Sequence, residues 1–363
     1  MAPQSALDFD KIGCIHQVGG IRTARFDFPD AGGSPGCRVA LVDTGSGLRF
    51  TVALDRGGDI VEAFYQQHSL AFLTPNGYKP PSHAYHRGLE WLHGWPGGLI
   101  TTCGPQTIGG PRQEDGQEVS LHGRFSNQPA ALVALHNPDS RRGDLTMRLD
   151  LVIRDSRMFG PVYEIRRSIR CTLGQPVIEI QDEVVNLGNT RVPHNWLYHI
   201  NFGYPLVDKG ARLVFRGRVT DTWNRPSDAP LGNLERLKRI PDPLPEHRSG
   251  GERGFVFDAQ GDRQRLARAG ILNRKLSLGV EIQHRTDQLP RVANWQHFGS
   301  GGSYVTAIEP FWGSLMGKEN DAHPLAEQWL EPGQSRRYDL TLRVLTGRAE
   351  LDALARHDNP LRS

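Results

Sequence analysis

The sequence predicts an all-β protein, a large antiparallel β-sandwich with few short helices, and three observations carry that expectation. Runs that alternate apolar and polar residues follow one another along most of the chain. Glycine and proline punctuate them, 41 and 25 among 363 residues, as suits many short strands joined by turns. Helical patterning is confined to a turn near 263–268 and another at 350–356.

Taken in order, residues 20–28, 37–42 and 48–54 are short β-like runs between Gly, Ser and Pro clusters. Over 145–153, Leu145, Met147, Leu149, Leu151 and Ile153 alternate with Thr146, Arg148 and Asp150. The pattern continues in Tyr163, Ile165 and Ile169, then in Ile178, Ile180 and Val184, with Gly174-Gln175-Pro176 as the turn between them. Later strands are expected at 211–219, 253–258, 277–284 and 304–309. A closing strand points Tyr338, Leu340, Leu342 and Val344 inward. No repeat and no low-complexity linker divides the chain, which reads as one domain over 1–363. Two irregular stretches stand out, 66–118 and 224–252, and irregular segments of that length are usually functional.

Bulk composition narrows the function. Hydrophobic residues make up 37% and charged residues 23%, a globular balance. The 43 basic and 40 acidic residues are interspersed, leaving a net +3 that argues against nucleic acid. No apolar run has the length of a membrane span. The first ten residues have neither the positive nor the apolar part of a signal peptide. Cys14, Cys37, Cys103 and Cys171 are scattered, with no close pair for zinc or redox chemistry. Cytoplasm is the expected compartment.

Function concentrates in residues 194–207. A period of two places His194, Trp196, Tyr198, Ile200 and Phe202 on one face, with Asn195, Leu197, His199 and Asn201 on the other. An imidazole between carboxamides on a rigid strand suits a polyhydroxylated ligand; an edge strand turning those groups to water fits the spacing equally well. Four further clusters are candidates. Asp55-Arg56-Gly57-Gly58-Asp59 is either an Arg clamp on a tight turn or a hairpin with a surface Arg–Asp pair. Residues 83–103 contain Arg87, Glu90, Trp91 and Trp95, suited to hydrogen-bond and stack on a pyranose, and then a buried strand framed by glycines. Leu121-His122-Gly123-Arg124 offers a His at a strand start. Glu309, between Ile308 and Pro310, ends an apolar strand, where a carboxylate is costly to bury without a task; it is a candidate general base with raised pKa. His83, His86, His93, His122, His194 and His199 lack the spacing of a familiar metal motif.

In the order Gly19-Gly20-Ile21-Arg22, residues 55–60, 97–104 and 121–124, 194–205, 308–313 and Leu330-Glu331-Pro332-Gly333-Gln334, these segments resemble the aldose 1-epimerase (galactose mutarotase-like) superfamily. The likeness is to a branch known only as aldose-1-epimerase-like. It implies a β-supersandwich with a sugar site on its concave sheet. It implies His199 as the acid that protonates the ring oxygen and Glu309 as the base at the anomeric hydroxyl. The acid is expected to rest as an imidazolium favoured by the nearby carboxylate. His122 is implied to orient the sugar, and Arg56 or Arg87 to clamp it. Glu90, Arg124, Asn201, Trp295 and Gln296 are further expected contacts, with Asp221 a guess for the Asp that holds a sugar hydroxyl. The expected reaction interconverts anomers of a free aldose or derivative. It needs no cofactor and no metal, and its partner is a small-molecule sugar; a homodimer is allowed. The alternatives are an isomerase or lyase of an oxidised sugar, and a non-catalytic sugar-binding module.

Overall fold

The computed structural model describes residues 8–27, 36–114, 116–224 and 235–359. Its main strands, in chain order, are β1 (Gly20–Phe26), β2 (Cys37–Asp43), β3 (Leu48–Ala53), β4 (Asp59–Tyr65) and β5 (Ile100–Cys103). There follow β6 (Ala130–His136), β7 (Thr146–Ser156), β8 (Val162–Thr172), β9 (Val177–Asn186) and β10 (Trp196–Gly203). Then come β11 (Arg212–Val214), β12 (Gly217–Trp223), β13 (Arg253–Ala259) and β14 (Leu266–Asn273). The last are β15 (Leu278–Arg285), β16 (Arg291–Phe298), β17 (Tyr304–Trp312) and β18 (Ser335–Thr346). One sheet runs β1-β2-β3-β4-β5-β10-β17-β16-β13-β12, and the other β6-β7-β8-β9-β18-β15-β14-β11. Among the described residues α-helix is scarce, four residues at Trp91–Gly94 and eight at Arg348–Ala355.

The alternation read from sequence is what joins the sheets. Met147, Leu149, Leu151 and Ile153 of β7 and Tyr338, Leu340, Leu342 and Val344 of β18 enter one core. From the first sheet Trp196, Tyr198, Ile200 and Phe202 meet them. Each such side chain contributes roughly 1.5–3 kcal/mol by leaving water, so period-two patterning fixes which face is inward.

Three expectations are corrected. Residues 263–268 form no helix: Arg265 has φ +63° in a turn, and β14 begins at Leu266. Residues 211–219 are two strands, because the chain crosses from one sheet to the other between Val214 and Gly217. The strand at 194–207 is not an edge. β10 lies between β5 and β17, and all eight of its residues are buried. Residue 28 of the first expected strand and the early part of 224–252 lie outside the described residues.

A buried ion network ties the sheets together behind β10. Arg167 of β8 grips Asp182 of β9 with Nε and Nη2 at 2.8 and 2.7 Å. Its Nη2 also reaches Thr102 Oγ1 at 2.8 Å, and its Nη1 donates to the Gly57 carbonyl at 3.0 Å. Asp59 Oδ1 lies 3.3 Å from Nη1 and accepts the Thr102 backbone N–H at 3.0 Å. Tyr198 donates to Asp182 Oδ2 at 2.6 Å. Burial works against the Arg167 charge, but Asp182 overrules it and the guanidinium is held more firmly protonated than usual. Two acidic groups and one cation therefore clamp β5, β10 and the β3–β4 turn to the second sheet.

Candidate active site

On the opposite face of β10, one residue on from Tyr198, His199 faces Glu309 of β17. Register pairs place them together: Leu197 is opposite Phe311 and Ile200 opposite Ile308. Both are enclosed, His199 at 5% and Glu309 at 2% exposure. Imidazole Nε2 is 3.4 Å from Glu309 Oε1. That is an ion-pair distance without hydrogen-bond alignment, so among the described residues Oε1 has no hydrogen-bond partner.

The tautomer follows from Asn201. Its amide nitrogen donates to the Gly98 carbonyl at 3.1 Å and to the His199 carbonyl at 2.9 Å. Its Oδ1 therefore faces His199 Nδ1 as an acceptor, which keeps the proton on Nδ1 and leaves Nε2 bare toward the carboxyl group. Burial pushes the His199 pKa down to about 4, with Asn201 opposing. Burial, reinforced by the charge of Glu252, holds Glu309 well above the ordinary glutamate range. Burial thus biases both groups toward their neutral forms, an imidazole beside a carboxylic acid. The expected resting imidazolium is corrected, because two enclosed charges cost more than their attraction returns without further hydrogen bonds.

Aromatic rings wall the pair. Trp95 and Trp295 meet the His199 ring edgewise at 5.8 and 5.6 Å between centroids. His122 meets it at 5.2 Å, nearly perpendicular. Trp91 stacks on Trp95 at 5.4 Å and tilts over His122 at 5.2 Å. Trp95 is pinned by its indole N–H to Thr101 Oγ1 at 2.9 Å, and Thr101 is opposite His199 in the β5–β10 register. The buried Trp91 N–H, like Glu309 Oε1, has no hydrogen-bond partner among the described residues. His122 is presented by a left-handed turn, φ +57°. That turn lies close because a Cβ on Gly123 would come 2.6 Å from the Thr107 carbonyl. His122 Nδ1 accepts the Gly109 N–H at 3.3 Å, and burial lowers its pKa well below normal, so it too is neutral.

The structure thus brings together His199, Glu309, Asn201, His122 and Trp295 of the sequence candidates, with Trp91 and Trp95. The others fall elsewhere. Arg56 is buried at 2% exposure, so the surface-pair reading of its turn fails. Its Nη1 goes to the Lys79 carbonyl and Asn127 Oδ1, each 3.3 Å away. Arg87 and Glu90 are exposed, and Glu90 lies 3.8 Å from His93 on the surface. Arg124 pairs with Asp155, lining a neighbouring cavity of about 140 Å³ with His86, Glu118 and Tyr163. Gln296 points between the sheets, where it accepts from Arg253 at 2.9 Å and donates to the Leu237 carbonyl at 2.7 Å. Asp221 lies within β12, beside its register shift, and accepts the N–H of its neighbour Thr222 at 2.7 Å. His194 is in the core against Tyr338. Among the described residues no group of three or more His, Cys, Asp or Glu is arranged to hold a metal, and no helix is long and apolar enough to cross a membrane.

Sequence reasoning missed Glu252, whose carboxylate accepts the Trp295 N–H at 2.6 Å. It also missed Arg167 and Asp182, the anchors behind β10. Neither carries a local motif.

The sequence model of the family described as "Domain of unknown function (DUF4432)" matches residues 34–344. The chain belongs to this family. No curated protein sequence matches it. Among solved structures, the DUF4432 chain is similar to a protein provisionally named an aldose 1-epimerase from Klebsiella pneumoniae. That match has a TM-score of 0.80 and 21% identity, over 95% of this chain and 94% of that one. A galactose mutarotase-like protein from Clostridium acetobutylicum matches with a TM-score of 0.58 and 13% identity, over 90% and 99%. The galactose 1-epimerase of Lactobacillus acidophilus matches with a TM-score of 0.57 and 12% identity, over 91% and 100%. At these identities the likeness is one of fold: the chain has the galactose mutarotase-like β-sandwich.

Proposed function

We propose that this protein is an aldose 1-epimerase-like isomerase that interconverts the anomers of a free aldose or a close derivative. The observation that carries the reading is the enclosed His199–Glu309 pair, 3.4 Å apart, with burial favouring the neutral form of each group. Opening a hemiacetal needs a proton taken from the anomeric hydroxyl and another delivered to the ring oxygen. Glu309 as carboxylate takes the first. The C1–O1 double bond forms as the C1–O5 bond breaks, and His199 Nε2–H gives its proton to O5. The pair is then a neutral imidazole and a carboxylic acid, the form that burial favours. Rotation about C1–C2 and the reverse transfers close the other anomer. The resting protonation state therefore matches the open-chain aldehyde, while the hydroxyls of the cyclic sugar supply the hydrogen bonds that the charged form needs.

The three indoles suit the apolar face of a pyranose. Asn201 acts through His199, fixing its tautomer. The deciding experiment is saturation-transfer NMR of anomer exchange on mixed aldoses and uronic acids in D₂O, with wild type and Glu309→Gln. Exchange accelerated by wild type alone is the expected result. New C–D bonds without accelerated exchange would replace the reading with isomerase or lyase chemistry, and sugar line broadening alone would replace it with a binding module.

A further inference from the structure

The Glu309 carboxyl is not the only acid at this site. Glu252 stands at the end of the irregular stretch before β13, and its Oε2 accepts the indole N–H of Trp295 at 2.6 Å, the bond length of a strong charge-assisted contact. Trp295 projects from β16 on the same face as Ala293, which is opposite Glu309 in the register. Its Cα partners on either side are Gly254 and Ala307, two residues too small to compete for the space. On the outer side that space is closed: a Cβ on Gly254 would come 2.1 Å from the Trp223 ring. The indole is left one direction, toward His199 at 5.6 Å and Trp95 at 6.3 Å. The carboxylate at its N–H end keeps it there.

We propose that Glu252 is a positioning residue of this site: it locks the Trp295 wall against His199 and sets a fixed negative charge beside the Glu309 carboxyl group. The inference rests on the proposed function only for its kinetic consequence. The groups facing Glu309 are few. His199 comes from β10, and Cys103 from β5 is buried with its thiol held protonated, burial being the main cause and Glu309 the next. From β16, Arg291 is turned away to Asp321 at 2.7 Å and the Gly313 carbonyl at 3.2 Å. His122 lies beyond His199, and His297 is tilted against Trp295 at 6.2 Å between centroids. No cation in this set offsets Glu252. Its charge therefore opposes ionisation of Glu309, in the direction that burial already drives. One carboxylate thus does two things: it shapes the wall and favours the protonated form of Glu309.

Glu252→Gln separates the two roles, because the amide oxygen still accepts the indole N–H while the charge is lost. The readout is the infrared stretch of a protonated buried carboxyl group, assigned to Glu309 by its absence in Glu309→Gln and titrated with pH. The expected result is that the band disappears at a pH lower by on the order of half to one unit in Glu252→Gln than in wild type. The alkaline limb of any exchange activity should move with it. Trp295→Phe, which frees Glu252 without removing its charge, should leave the titration in place and raise KM for the sugar. An unmoved titration in Glu252→Gln, or a wild-type protein with no protonated Glu309 band at neutral pH, overturns the proposal. The spectroscopic result stands even if no sugar is epimerised, so its failure is distinct from failure of the functional reading.

Discussion

Two neighbouring residues of one strand carry opposite electrostatic designs. Tyr198 points back into a network in which Arg167 spends its donors on Asp182, Thr102, Asp59 and the Gly57 carbonyl. His199 points forward to a carboxyl group 3.4 Å away that has an oxygen without a hydrogen-bond partner among the described residues. Burial is equally severe on both sides. Saturation with partners holds the Arg167 guanidinium charged and immobile, whereas the shortage of partners in front favours the neutral form of both groups. Buried charge is structural when every bond is made and chemical when one is withheld.

The sharpest way to break this comparison is to remove the front pair. His199→Ala or Glu309→Gln should each lower anomer exchange by about 10²–10⁴-fold, read by saturation-transfer NMR, while the circular dichroism spectrum is unchanged. Retained exchange in either variant would mean that the proton is carried elsewhere. Removing the rear cation should instead hit stability. Arg167→Met leaves Asp182 and Asp59 buried without their partner and should cost about 3–5 kcal/mol in denaturant unfolding. Tyr198→Phe, which deletes one bond to Asp182, should cost about 1–3 kcal/mol; a loss as large as that of Arg167→Met would show the hydroxyl, not the cation, to be the keystone.

The pH dependence distinguishes the front groups by sign. Glu309 is protonated in the fold above the 4.5 of an ordinary glutamate, so its contribution is present below 4.5 and is lost as pH rises through the raised value. Glu309→Gln lacks that loss and should gain on wild type in unfolding midpoint as pH rises above 4.5. His199 behaves oppositely: its contribution is full above 6.5 and fades as pH falls toward about 4. A His199→Asn protein should therefore lose less stability than wild type between pH 7 and pH 4.5. A parallel response in both variants would show that the pair does not rest neutral. The smallest effects belong to the exposed residues: Arg87→Ala and Glu90→Ala should change exchange by less than about threefold, the range of a surface charge.

Much of the fold was legible because the inward faces of β7 and β18 repeat apolar residues at every second position, and alternation is a local signal. The central place of β10 was not, since its neighbours β5 and β17 come from distant parts of the chain and no turn announces the pairing. In the site, His199 was legible from its strand face and Glu309 from the oddity of an acid ending an apolar strand. Gln296 was misplaced for want of one rule: Trp295 and Gln296 are adjacent on β16, so when one faces the site the other must face the core. Arg87 and Glu90 were overread because a loop sequence holds no period that says which side chains turn outward. Glu252 meets Trp295 from 43 residues away, and only the folded chain shows it.

The order of the first sheet has a consequence for how the protein comes to life after synthesis. His199 and Glu309 become neighbours only when β10 and β17 pair, and the wall is complete only when β5 and β16 flank them. The hairpins β2–β3, β7–β8 and β14–β15 can zip early, because each closes a short loop, whereas pairings across a hundred residues carry a larger closure cost and come late. On refolding, the far-ultraviolet signal should therefore recover ahead of anomer exchange. A nascent chain would hold most of its strands before the His199–Glu309 pair could form, since that pair waits for β17.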